Sequence, residues 1–285
     1  MSVENMTKRV ALIGHPLKRR HSEIMHNAAF EHFSIDGAYE LREMEPDQIL
    51  GFVAEARRDE WLGFQVTAPY KQIIMAHLDE IEDGARHIGA VNSVLRREDG
   101  SLIGFNTDAP GFQRAAEGEL DIHFSGLRVA VAGAGGVARA VVHALATAGA
   151  DSVTICDLDA SKATDLAADF GGSVRAVDVG DEFEAVLREV DFAVNATTVG
   201  MIQPGVAFDP QVLRDSAVVF DLVYNPPESE LLRRTRAREL PAANGLGMLV
   251  AQAEIAFERW TGISGSGPTM RAALAADPGT DQLGG

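Results

Sequence analysis

The stretch Arg128-Val129-Ala130-Val131-Ala132-Gly133-Ala134-Gly135-Gly136-Val137-Ala138 decides the fold class. A short apolar run of strand character enters a GxGxxA turn, and an Ala/Val-rich segment, residues 136–148, leaves it as a helix. Glycines in this pattern mean little alone; the strand before and the helix after are the context of a dinucleotide-binding turn. Gly133 permits the tight turn and Gly135 lets the backbone approach a pyrophosphate. Ala138 keeps the helix close to the sheet, and the helix N-terminus, with Ala134, Gly136 and Val137, offers N–H groups to the anion. A glycine-rich turn without a ligand is the alternative. Asp157 follows 24 residues beyond Gly133, at the end of the next strand. A carboxylate there accepts hydrogen bonds from the ribose hydroxyls and repels a 2′-phosphate, and neither Leu158 nor Asp159 supplies a cation for one. The reading is therefore NAD rather than NADP, the alternative for Asp157 being a helix cap.

The same βα alternation continues outward. Strands are expected at 128–132, 152–156, 191–195 and 218–222, with helices at 136–148 and 161–170, the latter capped by Ser161; together they form a doubly wound Rossmann unit over residues 121–246. The preceding 120 residues read as a mixed-sheet unit. Strands are expected at 9–13 and 62–66, with a helix over 22–33 capped by Ser22 and another over 46–58. Pro69 is suited to begin a helix. Glu98-Asp99-Gly100 turns a hairpin between 91–96 and 101–106, and a helix starts near Pro110. Helices at about 247–278 exceed what the second sheet needs and are expected to complete the first unit. Residues 277–285 read as a disordered tail.

Composition narrows the function classes. The 285 residues carry 42 Asp+Glu against 25 Lys+Arg, a net charge of −17. That balance argues against nucleic acid, which needs clustered cations. With 46% apolar and 24% charged residues the chain can bury a full core. A single cysteine, Cys156, excludes a disulfide scaffold, and no His/Cys spacing suggests a metal site. No apolar run reaches the length of a membrane span, and the N-terminal stretch lacks signal-peptide character, so a cytoplasmic protein without membrane partners is expected.

Two polar clusters of the first unit fall where strand ends should present them: Gln65-Val66-Thr67-Ala68-Pro69-Tyr70-Lys71 and Asn106-Thr107-Asp108. A lysine and an aspartate suit hydride transfer at a carbon–oxygen centre, the ammonium handling the proton and the carboxylate orienting the hydroxyl. Spacing alone leaves open a lysine that is only a solvated charge. The ordered series Gly14-His15-Pro16, Val66–Lys71, Gly89-Ala90-Val91-Asn92-Ser93, Asn106–Asp108, Gly133–Gly136, Asn195-Ala196-Thr197, Asp221–Tyr224 and Gly245–Gln252 resembles the shikimate dehydrogenase family, including its quinate/shikimate branch. The resemblance spans about residues 9 to 275.

It implies a two-domain α/β enzyme with a cleft between a substrate domain and a Rossmann domain. Lys71 and Asp108 fall on the family's catalytic pair. Ser22, Thr67, Asn92, Tyr224 and Gln252 fall on substrate ligands, and His26 on a residue that buttresses the substrate loop. The segments carrying Asn195, Thr197, Val223, Gly245 and Met248 are implied to line the nicotinamide pocket. The chain departs from the pattern in three places. Arg20 stands where the family has a hydroxyl residue of its carboxylate grip, and three readings stay open: a bidentate anchor for a carboxylate, a reshaped pocket for another ring compound, or an arginine turned to solvent. Gln65 replaces the usual Asn and is one methylene longer. Asp157-Leu158-Asp159 lacks the arginine that the NADP-using members carry.

The expected function is NAD-dependent oxidation of a ring hydroxyl of shikimate, quinate or a related cyclic hydroxy acid, by a monomer or homodimer. The alternatives are a same-fold dehydrogenase for an aminoshikimate-like compound or one lacking the carboxylate, and a non-catalytic NAD-binding regulator.

Overall fold

A computed structural model describes residues 7–17 and 19–277; the tail expected at 277–285 lies, from residue 278 on, outside the described residues. The chain divides into two compact units, one holding residues up to Thr107 and again from Val250, the other running from Asp108 to Leu249.

In chain order the first unit contains β1 (Lys8–Gly14), α1 (His21–His32), β2 (Gly37–Glu43), α2 (Ile49–Glu55), β3 (Trp61–Val66), β4 (Glu80–Ile81), α3 (Asp83–Ile88), β5 (Ser93–Arg96) and β6 (Leu102–Phe105). The sheet order is β2-β1-β3-β5-β6-β4. β1 runs parallel to β2 and β3, β5 is antiparallel to β3 and β6, and β4 is parallel to β6. The mixed sheet thus arises where the hairpin β5–β6 adds to three parallel strands. Trp61, Phe64, Phe52 and Ile74 fill the core on one side, Phe52 lying edge-on to both Trp61 and Phe64.

The second unit follows with α4 (Asp108–Leu120), β7 (Arg128–Ala132), α5 (Gly136–Thr147), β8 (Ser152–Cys156), α6 (Ala160–Phe170), β9 (Val174–Ala176), α7 (Asp181–Leu187), β10 (Phe192–Asn195), β11 (Val218–Asp221), α8 (Glu230–Arg236) and β12 (Ala242–Asn244). Its sheet is all parallel in the order β12-β11-β10-β7-β8-β9, the doubly wound order with its switch point between β7 and β10. α9 (Leu246–Thr261) begins in this unit and continues into the first, where α10 (Gly267–Ala276) packs on α1. Trp260 of α9 donates from Nε1 to the Val94 carbonyl at 2.9 Å, so the C-terminal segment is sewn into the first sheet. Among the described residues no helix is long and apolar enough to cross a membrane.

Several local expectations are corrected. The boundary read near residue 120 lies at 107/108, because α4 belongs to the second unit. Its Phe112 stacks on Phe124 at 5.4 Å between ring centroids and meets Phe220 edge-on at 5.3 Å. α1 starts at His21 with Arg20 in the capping position and no side-chain cap, so Ser22 does not cap it. α6 is capped by Asp159, whose Oδ1 accepts from the Ser161 N–H and hydroxyl at 3.2 and 2.6 Å; Ser161 is the donor. Pro69 leads into turns and a short 3₁₀ segment, Ile73–His77, rather than a helix of its own.

Candidate active site

In the first unit, buried amides and hydroxyls from four separate segments meet. Asn92 ends the link into β5, Thr107 closes β6, Gln65 faces inward from β3 and Gln252 projects from α9. All four are nearly inaccessible. Asn92 Nδ2 donates to Thr107 Oγ1 at 3.0 Å, and the Thr107 N–H donates to Asn92 Oδ1 at 2.8 Å. Gln252 Oε1 accepts from Gln65 Nε2 at 3.1 Å and from Thr107 Oγ1 at 3.3 Å. The hydroxyl of Tyr39, from β2, donates to Gln65 Oε1 at 2.6 Å. Burial raises the Tyr39 phenol well above its ordinary range, partly opposed by a hydrogen bond from Ser22, so the phenol stays protonated. His26 stacks on the Tyr39 ring at 4.5 Å. Burial pushes this imidazole down to about 3, with Gln65 opposing, so it is a neutral flat support.

The turn after β3 is fixed to this network through its backbone. The Thr67 N–H donates to the Ile13 carbonyl, Val66 N–H to the Asn92 carbonyl, and Val91 N–H to the Lys71 carbonyl, each at 2.9 Å. The Tyr70 hydroxyl donates to the Met44 carbonyl at 2.6 Å. Lys71, half-buried, therefore leaves a turn anchored on both sides. Asp108 directly follows Thr107, opens α4 and is buried.

In the second unit the glycine turn lies at the switch point. Gly133 has φ +109°, and a Cβ added there would come within 2.9 Å of the Ala196 backbone, the loop after β10. Gly135 and Gly136 face open space at the start of the 12-residue α5. Asp157 Oδ2 accepts from the Ala134 N–H at 2.8 Å and Oδ1 from the Asp159 N–H at 2.9 Å, so one carboxylate braces both turns. Leu158 beside it is 86% exposed. Tight turn, open helix start and acidic strand end fit a dinucleotide.

A second knot stands behind the loops after β10 and β11. Asp221, fully buried, accepts from Asn195 Nδ2 at 2.8 Å, from the Val223 N–H at 3.1 Å and from the Ser229 hydroxyl. Desolvation raises its pKa above the ordinary carboxylate value, the three donors opposing. Asn195 Oδ1 in turn holds Thr197, from its N–H at 3.0 Å and its hydroxyl at 2.7 Å. Gly245, whose N–H donates to the Val223 carbonyl at 3.2 Å, starts the turn into α9, and Met248 is buried. Tyr224 is half-buried on the same loop.

Three family models match the chain: the shikimate dehydrogenase substrate binding domain over residues 12–94, shikimate / quinate 5-dehydrogenase over 114–203, and the shikimate 5′-dehydrogenase C-terminal domain over 245–275. A shikimate dehydrogenase (NADP(+)) of Geobacillus sp. strain WCH70 is 40% identical over 262 residues, covering 90% of this chain and 94% of the relative. The chain belongs to the shikimate dehydrogenase family. Among solved structures, a quinate dehydrogenase of Corynebacterium glutamicum in complex with NAD superposes with TM-score 0.89 at 33% identity, covering 95% of this chain and 99% of that one. A shikimate 5-dehydrogenase of Thermus thermophilus in complex with NADP(H) and shikimate gives 0.85 at 36%, covering 94% and 98%.

In this member of the shikimate dehydrogenase family, the expected ligands Asn92 and Gln252 join one hydrogen-bonded set, to which Tyr39 adds through Gln65. Arg20 does not join it: its side chain is 69% exposed and its Nε bonds Glu23 Oε2 at 2.6 Å, the arrangement of an arginine turned to solvent. Sequence reasoning missed Tyr39, a lone buried aromatic on a charged strand. It quoted Thr107 and Asp221 only inside motifs, without roles.

Proposed function

We propose that the protein is a nicotinamide-dependent dehydrogenase that oxidises a ring hydroxyl of shikimate, quinate or a related cyclic hydroxy acid to the ketone, reversibly, with NAD preferred over NADP. The observation that carries the reading is the buried network of Asn92, Thr107 and Gln252, because a polyol needs groups that both donate and accept. A bound nicotinamide supplies the hydride acceptor. The chain supplies the rest. Lys71 assists removal of the hydroxyl proton, while Asp108 orients the hydroxyl and the lysine side chain. Asn92, Thr67 and Gln252 hold the remaining hydroxyls, with Ser22 and Tyr224 as further contacts.

The NAD preference rests on Asp157 and on the absence of a cation at 158 and 159. A relative 40% identical to this chain is named for NADP(+), so the test compares both cofactors. A second reading, a substrate without the carboxylate, is favoured by Arg20, which is paired with Glu23 and exposed. One experiment tests all of this: reduction of NAD and of NADP by the purified protein with shikimate, quinate and their non-acid analogues. Turnover of shikimate or quinate with NAD is expected. Turnover confined to the neutral analogues selects the second reading, and NAD binding without turnover of any ring alcohol revives the regulator.

A further inference from the structure

We infer that Asp221 is a positioning residue for the nicotinamide half of the cofactor site: through Asn195 it sets where the loop after β10 stands against the glycine turn. The inference rests on the dehydrogenase reading above. Asn195, the last residue of β10, pairs in register with Ala132 of β7 on one side and with Asp221 of β11 on the other. It therefore stands at the switch point, between the glycine turn and the loop that carries Val223. Its amide can face only one way. Nδ2 donates to Asp221 Oδ1 at 2.8 Å and to the Val199 carbonyl at 3.1 Å, and a carboxylate and a carbonyl only accept. That leaves Asn195 Oδ1 directed at the N–H and the hydroxyl of Thr197. The Thr197 hydroxyl, its single hydrogen spent on Asn195, accepts in turn from the Val199 N–H at 3.1 Å. The loop is wound on one amide, and one carboxylate aims that amide.

The loop so held touches the turn that would approach the pyrophosphate. A Cβ at Gly133 would come within 2.9 Å of the Ala196 backbone and 3.1 Å of the Thr197 methyl, so a shift of the loop displaces one wall of the site. Asp221 and Asn195 are fully buried. A carboxylate is costly to desolvate there, and it stands where donors from three segments converge: Asn195 at the end of β10, the Val223 N–H after β11, and the Ser229 hydroxyl before α8. The first two belong to the loops at the ligand end of the sheet. Ser229 instead caps α8, accepting from the Leu232 N–H, which separates a stabilising contact of the carboxylate from its positioning contacts.

The test is fluorescence titration of the full chain with NADH and with NADPH, which reads binding without turnover. Asp221→Ala should raise the Kd of the better-bound of the two about three- to tenfold, the range of one hydrogen bond. Asp221→Asn should stay within about twofold of wild type, because its amide can turn its oxygen to Asn195 and Val223 and donate to Ser229. Ser229→Ala, which removes the donor on the far side of the carboxylate, should lower the urea midpoint and leave the Kd within about twofold. The KM for shikimate or quinate should not move in any of the three. If Asp221→Ala does not fold, Thr197→Val keeps the side-chain shape, deletes the hydroxyl that Asn195 holds, and should raise the same Kd about threefold or more. A Kd unmoved in Asp221→Ala or Thr197→Val, an equal rise in Ser229→Ala, or a rise in Asp221→Asn that matches Asp221→Ala would overturn the role assigned to Asp221 while leaving the dehydrogenase reading intact. A wild-type chain that binds neither NADH nor NADPH overturns the dehydrogenase reading, and this one with it.

Discussion

Replacing Asp157 by Asn removes one negative charge and little else. The new side chain keeps the shape and one accepting oxygen, so it can still brace one of the two turns that Asp157 now holds through the Ala134 and Asp159 N–H groups. The half-buried carboxylate sits between bulk water and a protein-like dielectric. At about 4 Å, two like charges there repel by about 1 to 4 kcal/mol. Taking the low end, about 1 kcal/mol, removing the charge should improve NADP binding about fivefold. NAD loses a charge-assisted bond to a ribose hydroxyl, about 1 kcal/mol net against the neutral bond that replaces it, and should bind about fivefold more weakly. The ratio of kcat/KM for NAD over NADP should fall by about 25-fold, with kcat for the ring substrate preserved. Measuring both cofactors under saturating substrate, at low and at 0.5 M salt, is sufficient, because the repulsive part weakens with salt. A ratio that changes by less than threefold would refute the argument that Asp157 chooses the cofactor.

Lys71→Ala should lower turnover by about 10²–10⁴-fold with a much smaller change in substrate KM, read from initial rates; near-normal turnover removes Lys71 from the chemistry. Asp221→Ala strands the Val223 N–H and Ser229 hydroxyl in the interior and should cost about 3–5 kcal/mol by urea unfolding; a loss under 1 kcal/mol would mean that water replaces the carboxylate. Gly63→Ala would push a methyl to 2.6 Å from Trp260 Nε1 and against its acceptor, the Val94 carbonyl. It should lower stability by about 2–4 kcal/mol, and wild-type stability would show that the strand shifts to make room. Hydrogen bonds from Arg233 and Arg234 hold Glu230 down to about 2. A depressed carboxylate stabilises the fold above its ordinary value near 4.5 and loses that contribution as pH falls towards 2. The melting-temperature gap between wild type and Glu230→Gln should therefore narrow over that window and stay flat above about pH 6.

The parallel unit was legible because its signals are local. Each strand of 128–132, 152–156 and 218–221 is a short apolar run, and Gly133 to Asp157 are tied by a fixed spacing along the chain. β2 was not legible: Gly37–Glu43 alternates little and buries only Tyr39, its charges serving the exposed sheet edge. The end of the first unit was misplaced because α4 follows the hairpin strand β6 directly in sequence, whereas its Phe112 packs on Phe192 and Phe220 of the second sheet. Within the candidate site, resemblance gave Asn92 and Gln252 as neighbours of one ligand, but the bond between Gln65 and Gln252 joins residues 187 apart. No periodicity reports such a contact. Arg20 was legible as an anomaly and not as an orientation, since a cation beside a glutamate three residues on can fold back or reach inward; its bond to Glu23 decides.

The first unit is discontinuous in sequence, and this bears on how the chain is made. A ribosome finishes Thr107 roughly 140 residues before it begins the returning segment at Val250. At about 5–20 residues per second, that is a delay of about 7 to 30 s. Throughout it the early half lacks Trp260, the donor to Val94, and Gln252, the acceptor for Gln65 and Thr107. The Rossmann unit can close on emergence; the other half must wait for the last helices, its apolar surfaces open in the meantime. A gene cut after residue 107 would therefore encode an incomplete fold rather than an isolated domain.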